Sequence, residues 1–395
     1  MTTERFPLEL LGQPANVRLA YFVGKVVAHP RLRAVHDTLL RAIQEPSGAS
    51  LILVFGPTGV GKTTLRRRLE QQLSEAALPA VERDPGRIPV VGLEAAAGEA
   101  GLFNWKDYYT RALLALHEPL IPYKIVEPRR EVSRSSPGGT PDPRVAAPAL
   151  RRALEQCLLH RRPAAVIVDE AQHLIKLASG RRLLDQMDVL KSLAALTNTV
   201  HVLIGTYELV GLTTLSGQLS RRSREVHFGR YRAEVSEDWR AFQSVLFTFQ
   251  RYLPLAQEPD LVGHTDYLYE QSVGCVGVLK DWLSRALAAA LEEEATTLST
   301  RHLEQQATPA RKLLSLAREI KEGEEALREG GREREDVRRF LGLPPAPLAR
   351  EASDPEAPMP EGGARRKARG RGERVAERLP RRDPVGVREA THGDE

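Results

Sequence analysis

The sequence has few cysteines and no long apolar run. Only two cysteines, Cys157 and Cys275, occur among 395 residues, and both lie in apolar surroundings. This excludes a disulfide scaffold and a multi-cysteine zinc site, and it suits a reducing cytosol. No apolar stretch approaches the ~20 residues that a membrane span needs, and the first residues do not resemble a signal peptide. We therefore expect a soluble, cytoplasmic protein.

The charge is nearly balanced and aromatic residues are scarce. The chain has 57 Lys and Arg against 52 Asp and Glu, a net charge of +5. That excess is too small to indicate a nucleic-acid partner by itself, so the position of the charges matters more than their sum. Hydrophobic residues make up 42%, which is enough for a core, but only 5% are aromatic. With 27 Pro and 30 Gly, part of the chain is expected to remain unpacked.

The pattern of apolar residues divides the chain into four regions. Residues 1–48 hold an irregular start and an amphipathic helix over 36–43. Residues 49–215 alternate short apolar runs with helical patterns, which is typical of an α/β core with a parallel sheet. Residues 216–310 are predicted to form an all-helical lid without strands, and residues 311–395 a charged, largely disordered tail. Strands are predicted at 51–55, 90–93, 165–168 and 200–204, and a long exposed loop at 127–148.

A glycine-rich segment follows the first of these strands. It reads Gly56, Pro57, Thr58, Gly59, Val60, Gly61, Lys62, Thr63 and fits the pattern G-x-x-x-x-G-K-[ST], with a helix expected from about Thr64. Glycines allow main-chain N–H groups to point at phosphate oxygens, and the helix adds its positive amino-terminal end. Lys62 would reach the β- and γ-phosphates, and the Thr63 hydroxyl would bind Mg²⁺. A chance match is about a one-in-a-hundred event at average residue frequencies, so the segment predicts ATP binding.

Two carboxylates end the third predicted strand. Asp169 and Glu170 directly follow the apolar run 164–168. In a P-loop NTPase the first acid holds Mg²⁺ and the second is placed to take a proton from the attacking water. Asp169 is therefore the predicted metal residue and Glu170 the predicted general base. Asp-Glu is also a common strand-end dipeptide, and it is the phosphate loop that favours the functional interpretation.

Two further positions are candidates for the reaction. Thr206 ends the next strand, where a polar side chain would lie between the two motifs and orient water or sense the γ-phosphate; an ordinary turn residue is the alternative. An exposed arginine cluster, Arg221, Arg222 and Arg224, comes next. Arg221 is the first candidate for an arginine supplied to a neighbouring subunit. A solvated basic face or contacts to DNA phosphates would explain the same cluster.

A strong amphipathic helix is predicted after Gly274. Gly274 and Gly277 would allow the start of that helix to pack close to a bound nucleotide, and Lys280 or Arg285 would then reach a phosphate. The alternative is a plain core helix of the lid.

In this order, the motifs resemble an AAA+ ATPase. The details are similar to the TnsC/TniB group, the ATP-dependent regulators of target selection in bacterial transposons. The segments 169–174, 203–209, 221–232 and 274–283 carry this resemblance. It covers about residues 20–305.

The resemblance implies ATP binding and slow hydrolysis by a protein that forms homo-oligomers, rings or helical filaments, on double-stranded DNA. The assembly would connect a target-site selector, through a TniQ-type adaptor in CRISPR-associated transposons, to the transposase. Contacts to DNA phosphates would then be independent of sequence and sensitive to salt. The candidates lie in or beside the long loop: Lys124, Arg129, Arg130 and Arg134.

Other functions share many of these motifs. ExeA-type secretion ATPases and origin-binding ATPases are alternatives within AAA+, and a P-loop kinase for a small molecule is an alternative outside it. A scaffold that binds nucleotide without turnover is a further one, although Lys62, Asp169 and Glu170 are all present. Finally, the apolar segment 337–344 resembles a docking motif for a partner such as a transposase subunit, although a frayed helix end would explain it equally well. The arginine-rich stretch 365–382 would act as a flexible tether to DNA or bind an acidic surface.

Overall fold

The computed structural model describes residues 5–97, 103–125, 143–175, 181–212, 222–327 and 331–344. The described residues fall into two units, one up to residue 327 and a second from residue 331 onward. In the part of the chain that the structure describes, no helix is long and apolar enough to cross a membrane.

Five parallel strands make up the sheet of the described residues. They are β1 (Leu51–Phe55), β2 (Val90–Glu94), β3 (Ala165–Asp169), β4 (Val200–Gly205) and β5 (Ser223–His227), in the spatial order β2-β3-β4-β1-β5. The predicted α/β fold and its first four strands are thereby confirmed. Because β4 lies between β1 and β3, the chain segments that follow these three strands emerge side by side at one edge of the sheet.

Both faces of the sheet are buried. In β1, Leu51, Leu53 and Phe55 belong to one hydrophobic cluster, whereas Ile52 and Val54 belong to another on the opposite face. Successive side chains of a strand point to opposite faces, so a strand covered on both sides needs apolar residues throughout. This explains why the central strands appear in the sequence as unbroken apolar runs.

Within the described ranges, six helices accompany the strands. They are α1 (Ala15–Gly24), α2 (Pro30–Gln44), α3 (Lys62–Arg83), α4 (Trp105–Ala115), α5 (Pro143–Arg161) and α6 (Arg181–Thr197). Helix α2 has Pro30 in its first turn, and the His29 side chain accepts a hydrogen bond from the Leu32 N–H as a cap. It extends the predicted 36–43 helix at both ends. Helix α5 begins at Pro143, so the predicted loop at 127–148 ends earlier than expected; residues 126–142 lie outside the described part.

A helical part follows β5. It comprises α7 (Ser236–Tyr252), α8 (Thr265–Ser272), α9 (Val276–Glu292) and α10 (Thr300–Gln305), around a core that includes Trp282 and Phe249. Phe22 of α1 is fully buried in the same core. The N-terminal segment is therefore divided: α1 packs on the helical part, whereas α2 packs on the sheet through Leu39 and Ile43.

The predicted lid, 216–310, differs from the structure at its beginning. Residues 223–227 form β5, which pairs with β1 from Leu51↔Ser223 to Phe55↔His227. Val226 is the buried residue of this strand, and the others are exposed or half-buried. An edge strand of this kind has no apolar run, so the sequence pattern did not reveal it.

The predicted disordered tail also begins too early. Helix α11 (Ala310–Ala326) lies within it, with Leu313, Ile320 and Gly323 buried. Gly323 contacts the ring of Tyr207, where an added Cβ would lie 2.2 Å from the ring. The high charge of this segment led to the prediction of disorder, although its buried positions recur at helical spacing. In the second unit, α12 (Gly331–Phe340) is followed by exposed Leu341 and Leu343, and residues 345–395 lie outside the described part.

Candidate functional site

The segment between β1 and α3 forms a tight loop with left-handed glycines. Gly59 has φ +77° and Gly61 has φ +110°, values that disfavour a residue with a Cβ. Gly56 is equally constrained, since an added Cβ would lie 2.0 Å from the main-chain oxygen of Phe228. Helix α3 starts at Lys62, immediately after Gly61. The loop therefore has the backbone geometry and the helix amino terminus of a phosphate-binding cradle.

Lys62 lies inside this loop. Its side chain is only 8% exposed, and Nζ donates hydrogen bonds to the main-chain oxygens of Gly56 at 2.9 Å and Pro57 at 2.8 Å. Burial lowers the pKa of Lys62, while the nearby carboxylates of Glu170 and Asp169 act in the opposite direction. The loop and the acid pair therefore share one electrostatic environment.

Asp169 is the last residue of β3 and is almost fully buried. Its Oδ1 accepts a hydrogen bond from the main-chain N–H of Glu170 at 3.0 Å, and its Oδ2 lies 3.4 Å from Nε of Arg66. Arg66 is on α3, one turn beyond the phosphate loop, and also lies 3.6 Å from Glu70. A buried carboxylate needs a positive partner, and Arg66 supplies it.

Glu170 has an unusual backbone. Its φ and ψ are +52° and +34°, in the left-handed region, which costs a residue with a Cβ roughly 1–2 kcal/mol. A 3₁₀ turn, Ala171–Leu174, follows directly and is anchored by buried Ala171 and Leu174. The chain thus turns sharply at Glu170, directly after Asp169 ends β3.

Thr206 follows β4, between the strands that carry the other two motifs. Its main-chain N–H donates a hydrogen bond to Oε1 of Gln172 at 3.2 Å. Its Oγ1 is buried and has no hydrogen-bond partner among the described protein atoms. A buried hydroxyl without a protein partner fits a position that meets water or a ligand oxygen.

These residues fit a magnesium nucleotide. Thr63 lies exposed in the first turn of α3, and Asp169 ends β3. Hydroxyl and carboxylate oxygens are the hard ligands that Mg²⁺ prefers. A bound phosphate would provide a hydrogen-bond partner for the unpaired Thr206 hydroxyl. It would also accept hydrogen bonds from main-chain N–H groups of the loop, whose shape depends on the left-handed glycines.

The structure describes only some of the candidates for the arginine finger and for DNA contacts. Arg221, Arg129, Arg130 and Arg134 lie outside the described residues. Arg222 and Arg224 are exposed at the start of β5, level with Leu51, at the opposite end of β1 from the phosphate loop. They therefore lie away from the phosphate loop of their own chain.

Lys124 lies in a 3₁₀ turn, Ile121–Ile125, and forms an ion pair with Glu118 at 2.6 Å. It lines a cavity of about 480 Å³ together with Arg152, His160 and Arg161. The structure thus places Lys124 in a basic cluster, with one acidic neighbour already in contact.

The start of the lid helix contacts the phosphate loop through one of its glycines. Gly277 packs on Gly59, where an added Cβ would lie 2.4 Å from the Gly59 oxygen. In contrast, Lys280 Nζ donates to the main-chain oxygen of Val23 at 2.6 Å. The Arg285 guanidinium lies 3.5 Å from the main-chain oxygen of Gln306. Both cations therefore have contacts away from the loop, unlike the prediction that one of them reaches phosphate.

Two residues of the site were missed in the sequence. Arg66 and Gln172 have no motif of their own, because their contacts join segments that are distant along the chain. The i+4 spacing from Lys62 is the signal that would have placed Arg66 on the same face of α3 as the lysine. For Gln172, its position two residues after Glu170 is the available signal.

Residues 43–213 match the protein-family model described as an AAA domain. The chain has the AAA+ P-loop fold. The match spans β1 to the turn after β4, and therefore includes the phosphate loop, the acid pair and Thr206. No curated protein matches this sequence.

Several solved structures are similar to this chain. The ORC2 protein of Aeropyrum pernix, in ADPNP–ADP complexes, is 16% identical with a TM-score of 0.47, over 80% of this chain and 74% of that one. The ORC1 protein of the same organism, in complex with DNA, is 19% identical with a TM-score of 0.46, over 74% and 68%. The Walker-type ATPase of Pyrococcus abyssi is 16% identical with a TM-score of 0.40, over 78% and 75%.

Proposed function

We propose that this AAA+ chain binds and hydrolyses ATP with Mg²⁺, and that its nucleotide state controls assembly on double-stranded DNA. The observation that carries the first part is the buried Lys62, held inside the loop and within the field of Asp169 and Glu170. A loop shaped for phosphate beside two carboxylates has the parts for both binding and hydrolysis.

Each residue of the site then has a role. The loop from Gly56 to Thr64 holds the phosphates, and Lys62 pairs with their β- and γ-oxygens. Thr63 and Asp169 would hold Mg²⁺, which would neutralise charge on the phosphates when bound.

The water and the transition state involve three further residues. Glu170 accepts the proton of the attacking water, and the Thr206 hydroxyl orients that water or contacts the γ-phosphate. Arg221 acts in a neighbouring subunit, where its charge stabilises the transition state.

The DNA-binding part rests on the basic cluster around Lys124. Lys124, Arg152, His160 and Arg161 line one cavity, with Glu118 as the acidic member. Segment 126–142, which contains Arg129, Arg130 and Arg134, follows Lys124 closely in the sequence. Basic side chains placed along one surface bind phosphates of duplex DNA without reading its sequence.

The finer proposal concerns transposition. The similarity of segments 169–174, 203–209 and 274–283 to the TnsC/TniB group supports a regulator that joins a TniQ-type target-selection adaptor to the transposase. The exposed apolar segment at 337–344 is the candidate contact for the transposase, since Phe340 is 90% exposed and Leu341 68% exposed.

ATP hydrolysis measured against protein concentration, with and without duplex DNA, tests the proposal. We expect the rate per subunit to rise with concentration and with DNA, because a neighbouring subunit completes the site. A rate per subunit that is constant with concentration and unaffected by DNA would contradict assembly-coupled hydrolysis and favour a small-molecule kinase. Co-purification of the tagged chain with transposase and adaptor on DNA tests the finer proposal, and absence of both would contradict it.

A further inference from the structure

Gln172 is a buried amide immediately after the acid pair. It lies in the 3₁₀ turn Ala171–Leu174 and is 4% exposed. Both ends of its side chain contact residues of the nucleotide site. Nε2 donates a hydrogen bond to Oε2 of Glu170 at 2.5 Å, and Oε1 accepts one from the main-chain N–H of Thr206 at 3.2 Å. One side chain therefore joins the ends of β3 and β4.

The orientation of this amide is fixed by its partners. The main-chain N–H of Thr206 is only a donor, so it requires the amide oxygen. The Glu170 carboxylate is only an acceptor when ionised, so it requires the amide nitrogen. Exchanging the two ends of the Gln172 amide would place like groups against each other at both contacts.

Packing also fixes the position of Gln172. An added Cβ at Gly205 would lie 2.6 Å from Oε1 of Gln172 and 2.8 Å from the Leu209 side chain. The neighbouring Ala171 and Leu174 are fully buried. The amide is thus held against the end of β4, and any movement of Thr206 relative to β3 changes its hydrogen bonds.

We propose that Gln172 is a positioning residue that sets the orientation of the Glu170 carboxylate according to the position of Thr206. This inference rests on the proposed function, because it assigns Glu170 as the general base. Thr206 has a buried hydroxyl without a protein partner on the side proposed to meet the γ-phosphate. A shift of the β4 end on nucleotide binding is transmitted through the two hydrogen bonds to the base, so the base is aligned when the phosphate is in place.

Gln172→Met tests this role because it keeps the volume of the side chain and removes both hydrogen bonds. We expect kcat for ATP hydrolysis to fall about tenfold or more, with KM for ATP and the affinity for a non-hydrolysable analogue within twofold of the wild type. Gln71→Met is the matched control, since it removes a Gln–Glu hydrogen bond of 2.8 Å on the exposed face of α3. It should leave kcat unchanged.

Gln172→Glu is the second variant, and it is nearly isosteric with the wild-type residue. It keeps an acceptor for the Thr206 N–H but has no donor for Glu170 at neutral pH. We expect a loss of kcat at least as large as that in Gln172→Met, again with little change in ATP affinity. Full kcat in this variant would overturn the proposal, because the substitution removes the donor to Glu170 and places a second carboxylate against it.

A double-mutant cycle shows whether Gln172 acts through Glu170. In the Glu170→Gln background, adding Gln172→Met should change residual hydrolysis less than twofold, because the base is already absent. A further tenfold loss would overturn the proposal. If the wild type hydrolyses ATP and Glu170→Gln stops it, full kcat in both Gln172 variants contradicts this inference alone. If the wild type neither binds nor hydrolyses ATP, the proposed function fails, and this inference with it.

Discussion

The main-chain N–H of Val278 donates a hydrogen bond to the main-chain oxygen of Gly59 at 3.2 Å. This contact joins the first turn of lid helix α9 to the phosphate loop. An added Cβ at Gly59 would lie 2.5 Å from the Val278 side chain, so both backbones approach closely. The loop and the lid helix are therefore in direct main-chain contact. A movement of either one changes this contact directly, without an intervening side chain.

Gly277→Ala tests the importance of this contact. The new methyl group would lie 2.4 Å from the Gly59 oxygen, so the loop or the lid must shift. We expect a loss of about 1–3 kcal/mol in the free energy of unfolding, as for an overpacked site, and weaker binding of an ATP analogue. Urea denaturation and calorimetric titration measure the two effects. Gly24→Ala is the control, because a Cβ there meets nothing within 4 Å. Equal stability and equal binding of the ATP analogue in the two variants would contradict a role for the contact between Gly277 and Gly59.

Glu170→Gln separates binding from hydrolysis. The amide cannot accept the proton of the attacking water, so we expect kcat to fall about 100-fold or more. ATP binding and assembly on DNA should persist, because Lys62 and Asp169 are unchanged. Steady-state hydrolysis and analogue binding check this result. Loss of nucleotide binding in the variant would show that Glu170 is not the base.

Glu324 attaches helix α11 to the rest of its unit. Its carboxylate lies 3.0 Å from Nε of Arg230. The Nη1 of the same arginine donates a hydrogen bond to the Tyr269 hydroxyl at 2.7 Å. Burial lowers the pKa of Arg230, but the nearby Tyr269 and Glu324 more than offset this, so the net shift is upward.

Glu324→Ala leaves this half-buried guanidinium without its carboxylate. We expect a loss of about 1–3 kcal/mol in the free energy of unfolding, measured by urea denaturation. Glu325→Ala removes a neighbouring exposed carboxylate and should stay within about 0.5 kcal/mol of the wild type. A Glu324 variant as stable as the Glu325 variant would contradict a structural role for α11.

The stability should depend on pH through buried histidines. Burial lowers the pKa of His201 in β4 to about 4, and burial, with help from nearby arginines, lowers that of His29 to about 4. An unfolded histidine has a pKa of about 6.5, so the unfolded state binds more protons between these values. The stabilising contribution is therefore complete above about pH 6.5 and is lost as the pH falls towards 4, with a slope of up to ~1.4 kcal/mol per pH unit for each histidine.

His201→Asn checks the assignment, since the amide nitrogen of Asn takes the place of Nδ1 and keeps a donor for the Thr199 oxygen but does not titrate. Its free energy of unfolding, measured between pH 7.5 and 5, should fall less steeply with decreasing pH than that of the wild type. The difference in slope should correspond to about one fewer proton taken up on unfolding. The same slope in both proteins would mean that His201 does not contribute.

The central strands and the phosphate loop were predictable because their signals are local. An apolar run buried on both faces, as in β1, and a glycine pattern followed by Lys62 each occupy a few consecutive residues. The positions of Asp169 and Glu170 at the end of β3 were predictable for the same reason, and their roles stay predictions. Their placement beside Thr206 followed from the expected parallel sheet, and the order β3-β4-β1 agrees with it.

The remaining features depend on tertiary contacts. Strand β5 has Val226 as its buried residue, and its hydrogen bonds to β1 rather than its own pattern make it a strand. Helix α11 is anchored by Gly323 against Tyr207, over a hundred positions earlier in the chain. Gln172 reaches Thr206 across a separation of 34 residues. No local window contains such pairs, so the sequence alone did not predict them.

Electron microscopy of the chain on linear duplex DNA, with and without a non-hydrolysable ATP analogue, tests the central claim most directly. The Lys62→Ala variant serves as the form that cannot bind nucleotide. Its control is Lys321→Ala, which removes a lysine whose side chain is 77% exposed. We expect rings or filaments on DNA only when the analogue is present, in the wild type and in Lys321→Ala, and none with Lys62→Ala. Unassembled particles in every sample, or assemblies that form equally with Lys62→Ala, would contradict nucleotide control of assembly on DNA.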